Sequence, residues 1–212
     1  MPTERLRTAR HAFLCLGLAA LCAGARAQEF EVALDGKPIG THRFVLGGTA
    51  QTRTVRSEAS FTVKLLGLTV YRYRHEASER WQGGCLAAVE ADTDDNGKPS
   101  RVQARTEGGA LQVAGPEGPL PLPGCVFSYA YWNPAMRQQT QLLNVQTGRH
   151  DAVRIRRMDS GTVEVRGRLQ EAERWRIEGP EQPVDVWYTT DGQWVGLDST
   201  VAGGRQLRYR LR

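Results

Sequence analysis

Apolar and polar residues alternate along most of this chain. Phe30, Val32 and Leu34 alternate with acidic or small neighbours, and Asp35-Gly36 then turns the chain. Phe44 and Leu46 continue on the return strand. Phe61, Val63 and Leu65 alternate again, and Tyr71 and Tyr73 follow beyond Gly67, where the pattern predicts a bulge. Leu86 to Ala91 runs into Asp94-Asp95-Asn96-Gly97, a strong hairpin turn, and Val102 and Ala104 return. Val153 and Ile155, then Val163 and Val165, flank Asp159-Ser160-Gly161. Val184, Val186 and Tyr188 meet Asp191-Gly192, Trp194 opens the next strand, and Leu207, Tyr209 and Leu211 close the chain. Turn signals spaced about 8–12 residues apart predict an all-β fold, an antiparallel meander that curls into a half-barrel or barrel.

One stretch breaks this rhythm. Asn133-Pro134 reads as an N-cap followed by proline at the first helical position, which predicts one short helix over Pro134–Leu143. Pro116, Pro119, Pro121 and Pro123 precede it and predict a stiff loop leading to Cys125. Between them, Phe127, Tyr129 and Tyr131 alternate, which puts the three on one face of a strand with Trp132 beside them. This aromatic group reads as a plug for an open barrel, and a plug lines whatever cavity remains. With Met136 on the helix, it makes Tyr129, Tyr131, Trp132 and Met136 the candidate ligand-binding residues.

Composition adds a compartment. Arg5, Arg7 and Arg10 precede an apolar run from Ala12 to Ala23, and Ala25-Arg26-Ala27 supplies the small residues of a cleavage site. Residues 1–27 therefore read as a signal peptide, with the mature chain a single β-barrel-like domain over 28–212, periplasmic or secreted. The apolar run is shorter than the roughly 20 residues that span a bilayer, so no transmembrane segment is expected in the mature chain. Cys22 follows Leu21, whereas a lipidated cysteine follows a small residue. The chain carries 28 Lys+Arg against 23 Asp+Glu, but the leader holds four of the arginines and one glutamate. A near-neutral remainder lacks the basic excess that nucleic-acid binding needs. Cys85 and Cys125 stay after cleavage, and a lone pair in an oxidising compartment predicts a disulfide contributing about 3.5–4 kcal/mol.

Candidate chemistry is sparse. Asp92, Asp94 and Asn96 with Gly97 match the first half of a calcium loop, but Gln103 stands where a bidentate glutamate should close it, and Pro99 interrupts it. His42, His75 and His150 show no metal spacing. Ser199 in Gly196-Leu197-Asp198-Ser199 lacks the flanking glycines of a nucleophile elbow. No catalytic residue, metal ligand or cofactor is assigned on these patterns.

At Glu79-Arg80-Trp81-Gln82-Gly83-Gly84-Cys85-Leu86 and Ala130-Tyr131-Trp132-Asn133-Pro134 the chain resembles a proteobacterial family of exported β-rich proteins, a domain of unknown function. Thr93-Asp94-Asp95-Asn96-Gly97, Leu142-Leu143-Asn144 with Gln146-Thr147-Gly148, and Trp194-Val195-Gly196-Leu197-Asp198-Ser199 extend the resemblance over nearly the whole mature chain. A looser similarity, at the level of fold, is to periplasmic half-barrels of the lipoprotein-carrier type. The resemblance implies an exported β protein and transfers no activity. The expected function is non-catalytic binding of an apolar or lipid-like envelope molecule in the concave face. A scaffold or interaction protein would instead show a filled core. A hydrolase would need His42, His75 or His150 to converge with an acid and a nucleophile.

Overall fold

The computed structural model describes residues 25–179 and 182–212. Most of the expected leader lies outside the described residues. The first strands form where alternation predicts them: β1 (Arg26–Leu34), β2 (Lys37–Gly48), β3 (Thr52–Leu65), β4 (Leu68–Gln82), β5 (Cys85–Asp95), β6 (Lys98–Glu107), β7 (Ala110–Gly115) and β8 (Gly118–Pro123). Each pairs antiparallel with the next. Asp35-Gly36 and Asn96-Gly97 have positive φ, as two-residue hairpin turns of this kind require. The second half contributes β9 (Gln141–Leu143), β10 (His150–Ala152), β11 (Arg154–Arg157), β12 (Gly161–Val165), β13 (Arg168–Glu178), β14 (Val184–Tyr188), β15 (Trp194–Val201) and β16 (Arg205–Leu211).

β16 returns to β1, with Tyr209 opposite Val32, and joins both halves into one sheet. Its order is β11-β13-β14-β15-β16-β1-β2-β3-β4-β5-β6-β7-β8, with β12 also on β13. β9 and β10 form a separate two-stranded piece. The end strands β8 and β11 do not pair, so the sheet stays open. It nonetheless curls, because side chains of β13 and β14 line the same cavity as those of β3 and β4, far along the strand order. The architecture is an antiparallel half-barrel with its core on the inner face. Phe30, Trp194 and Phe44 meet there, with the Phe30 and Trp194 ring centroids 4.0 Å apart.

Four local expectations are corrected. The expected helix over Pro134–Leu143 is a 3-10 helix of only Pro134–Gln138. Asn133 caps it as expected, its side chain accepting from the Ala135 N–H. It stops because Leu142 and Leu143, both fully buried, are taken into β9. Tertiary burial overrides the good helix propensity of Ala135 to Gln139. The aromatic stretch is likewise not a strand. The Ala130 N–H donates to the Ser128 carbonyl and the Tyr131 N–H to that of Tyr129, consecutive tight turns that fold the segment back on itself. The proline-rich stretch is not a loop, because Pro119, Pro121 and Pro123 lie within β8. That strand is at the sheet edge, where a missing N–H breaks no ladder and blocks pairing with another chain. The predicted irregularity near Gly67 falls between Val63 and Lys64, and Gly67 itself forms the turn.

The Cys85–Cys125 disulfide is present, with Cα atoms 5.1 Å apart. It ties the start of β5 to the connecting segment 124–133 and brings that segment across the open side of the sheet. The Leu86 N–H donates to the Val126 carbonyl and the Leu143 N–H to the Phe127 carbonyl, which fixes the start of the segment beside the disulfide.

Candidate functional site

Pairing register stacks inward-facing residues into rows across β2 to β6. One row runs Phe44, Ser57, Ala77, Ala91 and Val102. Its neighbours are His42, Ala59, His75 and Thr93 on one side, and Leu46, Val55, Glu79, Val89 and Ala104 on the other. The middle of this face is made of small side chains, Ser57, Ala59, Ala77 and Ala91. Small residues at the centre of a curved face leave a void there, since neighbouring backbone cannot collapse to fill it.

That void is a cavity of about 210 Å³. Its floor is His42, Phe44, Val55, Ser57, His75, Ala77 and Glu79, and its opposite wall is Tyr129, Ala130, Tyr131 and Trp132. Asn144, Val145 and Gln146, with Ile177, Gly179, Gln182 and Val184, complete the lining. The structure therefore brings three of the four expected ligand residues together. Met136 is the exception: it is fully buried in the core and does not line the cavity.

The wall is braced. The Tyr129 hydroxyl donates to Asp151 Oδ2 at 3.0 Å, and the Tyr188 hydroxyl donates to the Tyr131 carbonyl at 2.9 Å. Trp132 packs edge-on against Trp81 at 5.3 Å, and the Arg53 guanidinium lies 5.7 Å from the Trp132 ring. Burial pushes the Tyr129, Tyr131 and Tyr188 hydroxyls up, so all three stay protonated donors.

The floor carries polar groups that sequence reasoning did not select. Trp81 Nε1 donates to Glu79 Oε2 at 2.8 Å, and Ser128 Oγ donates to Oε1 at 2.9 Å. No ion pair of Glu79 occurs among the described residues, and burial raises its carboxyl above the ordinary range. His42 Nε2 lies 2.7 Å from Ser57 Oγ, and His75 Nδ1 lies 2.9 Å from Thr93 Oγ1. Burial lowers His42 to about 3, helped by the nearby His75, and lowers His75 to about 4. Both rings are therefore neutral at pH 7. The signal that marks Glu79 in the sequence is its register, because a charged residue falls on the inward positions of Tyr73, His75, Ala77 and Trp81.

The His42–Ser57 pair resembles part of a hydrolytic site, but its chemistry is weak. His42 Nδ1 is buried without a hydrogen-bond partner, so no carboxylate orients the ring. A base held near 3 is far from the value that suits proton abstraction at neutral pH. His150 lies outside the cavity, beside Asp151 on β10, and the Ser199 hydroxyl donates to the Pro183 carbonyl. Among the described residues no group of three or more His, Cys, Asp or Glu is placed to hold a metal ion. Asp92 to Asp95 end β5 and Asn96-Gly97 form the β5–β6 turn, where Asp94 Oδ1 accepts from the Gly97 N–H at 2.6 Å, and Asp92 faces Arg101 across the strands. No helix among the described residues is long and apolar enough to cross a membrane.

The fold has a solved counterpart. A crystal structure of a β-barrel-like protein of domain of unknown function DUF1849 from Brucella abortus superposes with a TM-score of 0.66 at 13% identity, covering 91% of this chain and 98% of that one. At that identity the likeness concerns the fold alone. No curated protein matches the chain. The family described as domain of unknown function DUF6134 matches residues 30–212, and the chain belongs to it.

Proposed function

We propose that this chain is an exported, non-catalytic binding protein that takes a small apolar or amphipathic molecule into its inner-face cavity. One observation carries the reading: an aromatic wall of Tyr129, Tyr131 and Trp132 faces a floor of small side chains across an open space of about 210 Å³. That volume lies below the roughly 300–1,000 Å³ of pockets that enclose drug-sized ligands. The occupant is therefore a compact molecule, or one end of a longer one such as a lipid chain. Glu79, whose two carboxylate oxygens each accept one hydrogen bond, is the polar anchor beside the apolar wall. A scaffold with a filled core would have no use for this space. Export is supported by the leader pattern of residues 1–27 and by the disulfide, which persists in oxidising compartments.

Native mass spectrometry of the chain recovered from its exported fraction tests both halves. The expected spectrum shows a chain beginning at Gln28, with a small adduct that is lost on denaturation. A chain beginning at Met1 contradicts export, and an adduct-free spectrum at every collision energy contradicts a resident ligand.

A further inference from the structure

The hairpin between β3 and β4 leaves the sheet. β2 accompanies β3 only as far as Gly40 opposite Phe61, and β5 accompanies β4 only from Asp95 opposite Tyr73. Its base is held where the Asn96 N–H donates to the Arg72 carbonyl. Residues from Val63 to Tyr71 pair only with one another. At about 3.3 Å per residue, this free ribbon projects roughly 13 Å.

Its tip is apolar. Leu65, Leu66, Leu68 and Val70 are 63%, 95%, 72% and 51% exposed, four of the five large apolar side chains exposed among the described residues. The turn itself breaks a local rule. Asp35-Gly36, Asn96-Gly97 and Arg166-Gly167 share its positive-φ backbone, and each starts with a polar residue. Leu66-Gly67 alone starts with leucine, at φ 49°. A left-handed leucine costs about 1–2 kcal/mol, and at this exposure it recovers nothing from packing. Asparagine would serve the fold better, so folding does not account for leucine here. The charges point the same way. Lys64 lies beside the tip and Arg72 and Arg74 lie at the ribbon's base, and no Asp or Glu occurs between Phe61 and His75. The neighbouring carboxylates, Asp94 and Asp95, sit opposite Arg74 and Tyr73 at the ribbon's base.

We propose that this ribbon docks the protein on an anionic membrane surface, with the leucine tip entering the boundary between headgroups and acyl chains and Lys64 and Arg72 meeting lipid phosphates. The projecting length suits a burial depth of about 5–10 Å while the basic collar remains among headgroups. A convex tip without a surrounding rim fits a soft medium that closes around it. The proposal stands apart from the cavity reading, since no residue from Val63 to Tyr71 lines the cavity.

Co-sedimentation of the mature-length chain with phosphatidylglycerol–phosphatidylethanolamine vesicles tests it, with phosphatidylcholine vesicles and a salt series as comparisons. The expected result is salt-sensitive binding to the anionic vesicles, weakened at least about tenfold in Leu65→Thr/Leu66→Asn/Leu68→Thr. Leu66→Asn suits the turn, so this variant should melt no lower than the wild type. Lys64→Gln/Arg72→Gln should weaken binding and flatten the salt dependence. Absence of vesicle binding, unchanged binding by the leucine variant, or a concentration-dependent dimer that the leucine variant abolishes would overturn the proposal.

Discussion

Replacing Cys85 and Cys125 together by alanine is expected to lower the unfolding free energy by about 2–4 kcal/mol. The bridge spans 40 residues of sequence, and closing a loop of that length removes unfolded-state entropy on this scale. The native side adds a local effect. Cys125 opens the segment that holds Phe127 against Trp81 and Ser128 against Glu79, so the variant loosens the cavity wall before the sheet. The sheet itself should still form, because its ladder from β1 to β8 and back to β16 does not pass through the bridge. Urea unfolding of wild type and variant, both without reductant, measures the difference. Equal midpoints would contradict the stabilising role.

Acidification is expected to destabilise the fold by about 2–4 kcal/mol between pH 7 and pH 5. His42 and His75 take up protons near 6.5 in the unfolded chain but only near 3 and 4 when folded, because burial penalises their charged forms. The unfolded state therefore binds more protons as pH falls below 6.5, and stability is lost from there down towards the folded values. At pH 5 each ring is about 1.5 units below its unfolded value, worth about 2 kcal/mol at 1.36 kcal/mol per unit. Glu79 works in the opposite direction. Its raised carboxyl binds a proton more readily in the folded state, so its protonation returns part of the loss. Urea midpoints at the two pH values should show the drop, and His42→Gln/His75→Gln should shrink it. A wild type equally stable at both would refute the assignment of neutral buried rings.

Much of the fold is legible in the sequence because its signals are local. Asp35-Gly36 and Asn96-Gly97 announce turns through the positive φ that few residues accept, and the period-2 pattern fixes which face of each strand is buried. The failures arise where distant contacts overrule local preference. Ala135 to Gln139 favour a helix, yet burial of Leu142 and Leu143 ends it early. Tyr129 and Tyr131 alternate as in a strand, yet the backbone folds at Ala130. The prolines of β8 read as a loop because nothing local says that the strand lies at an edge. The cavity is harder still. Small residues such as Ser57 and Ala77 are unremarkable singly, and only the pairing of β3 with β4 sets them side by side. Glu79 meets Ser128 through the disulfide-tethered segment, a contact with no signal in spacing.

In the reading proposed above, the space between the aromatic wall and the small-residue floor is a binding site. Its most direct test is a fluorescence titration of the folded chain with 1-aminoanthracene, a small apolar probe carrying one amine. The wild type should show saturable binding to one site. Trp132→Ala removes a large face of the wall and should weaken that binding by about 1–3 kcal/mol, the range for losing the burial of a large apolar group. Ala77→Leu fills the floor and should abolish it, with circular dichroism confirming that both variants remain folded. Folded wild type that binds no probe, or variants that bind as well as the wild type, would contradict the account.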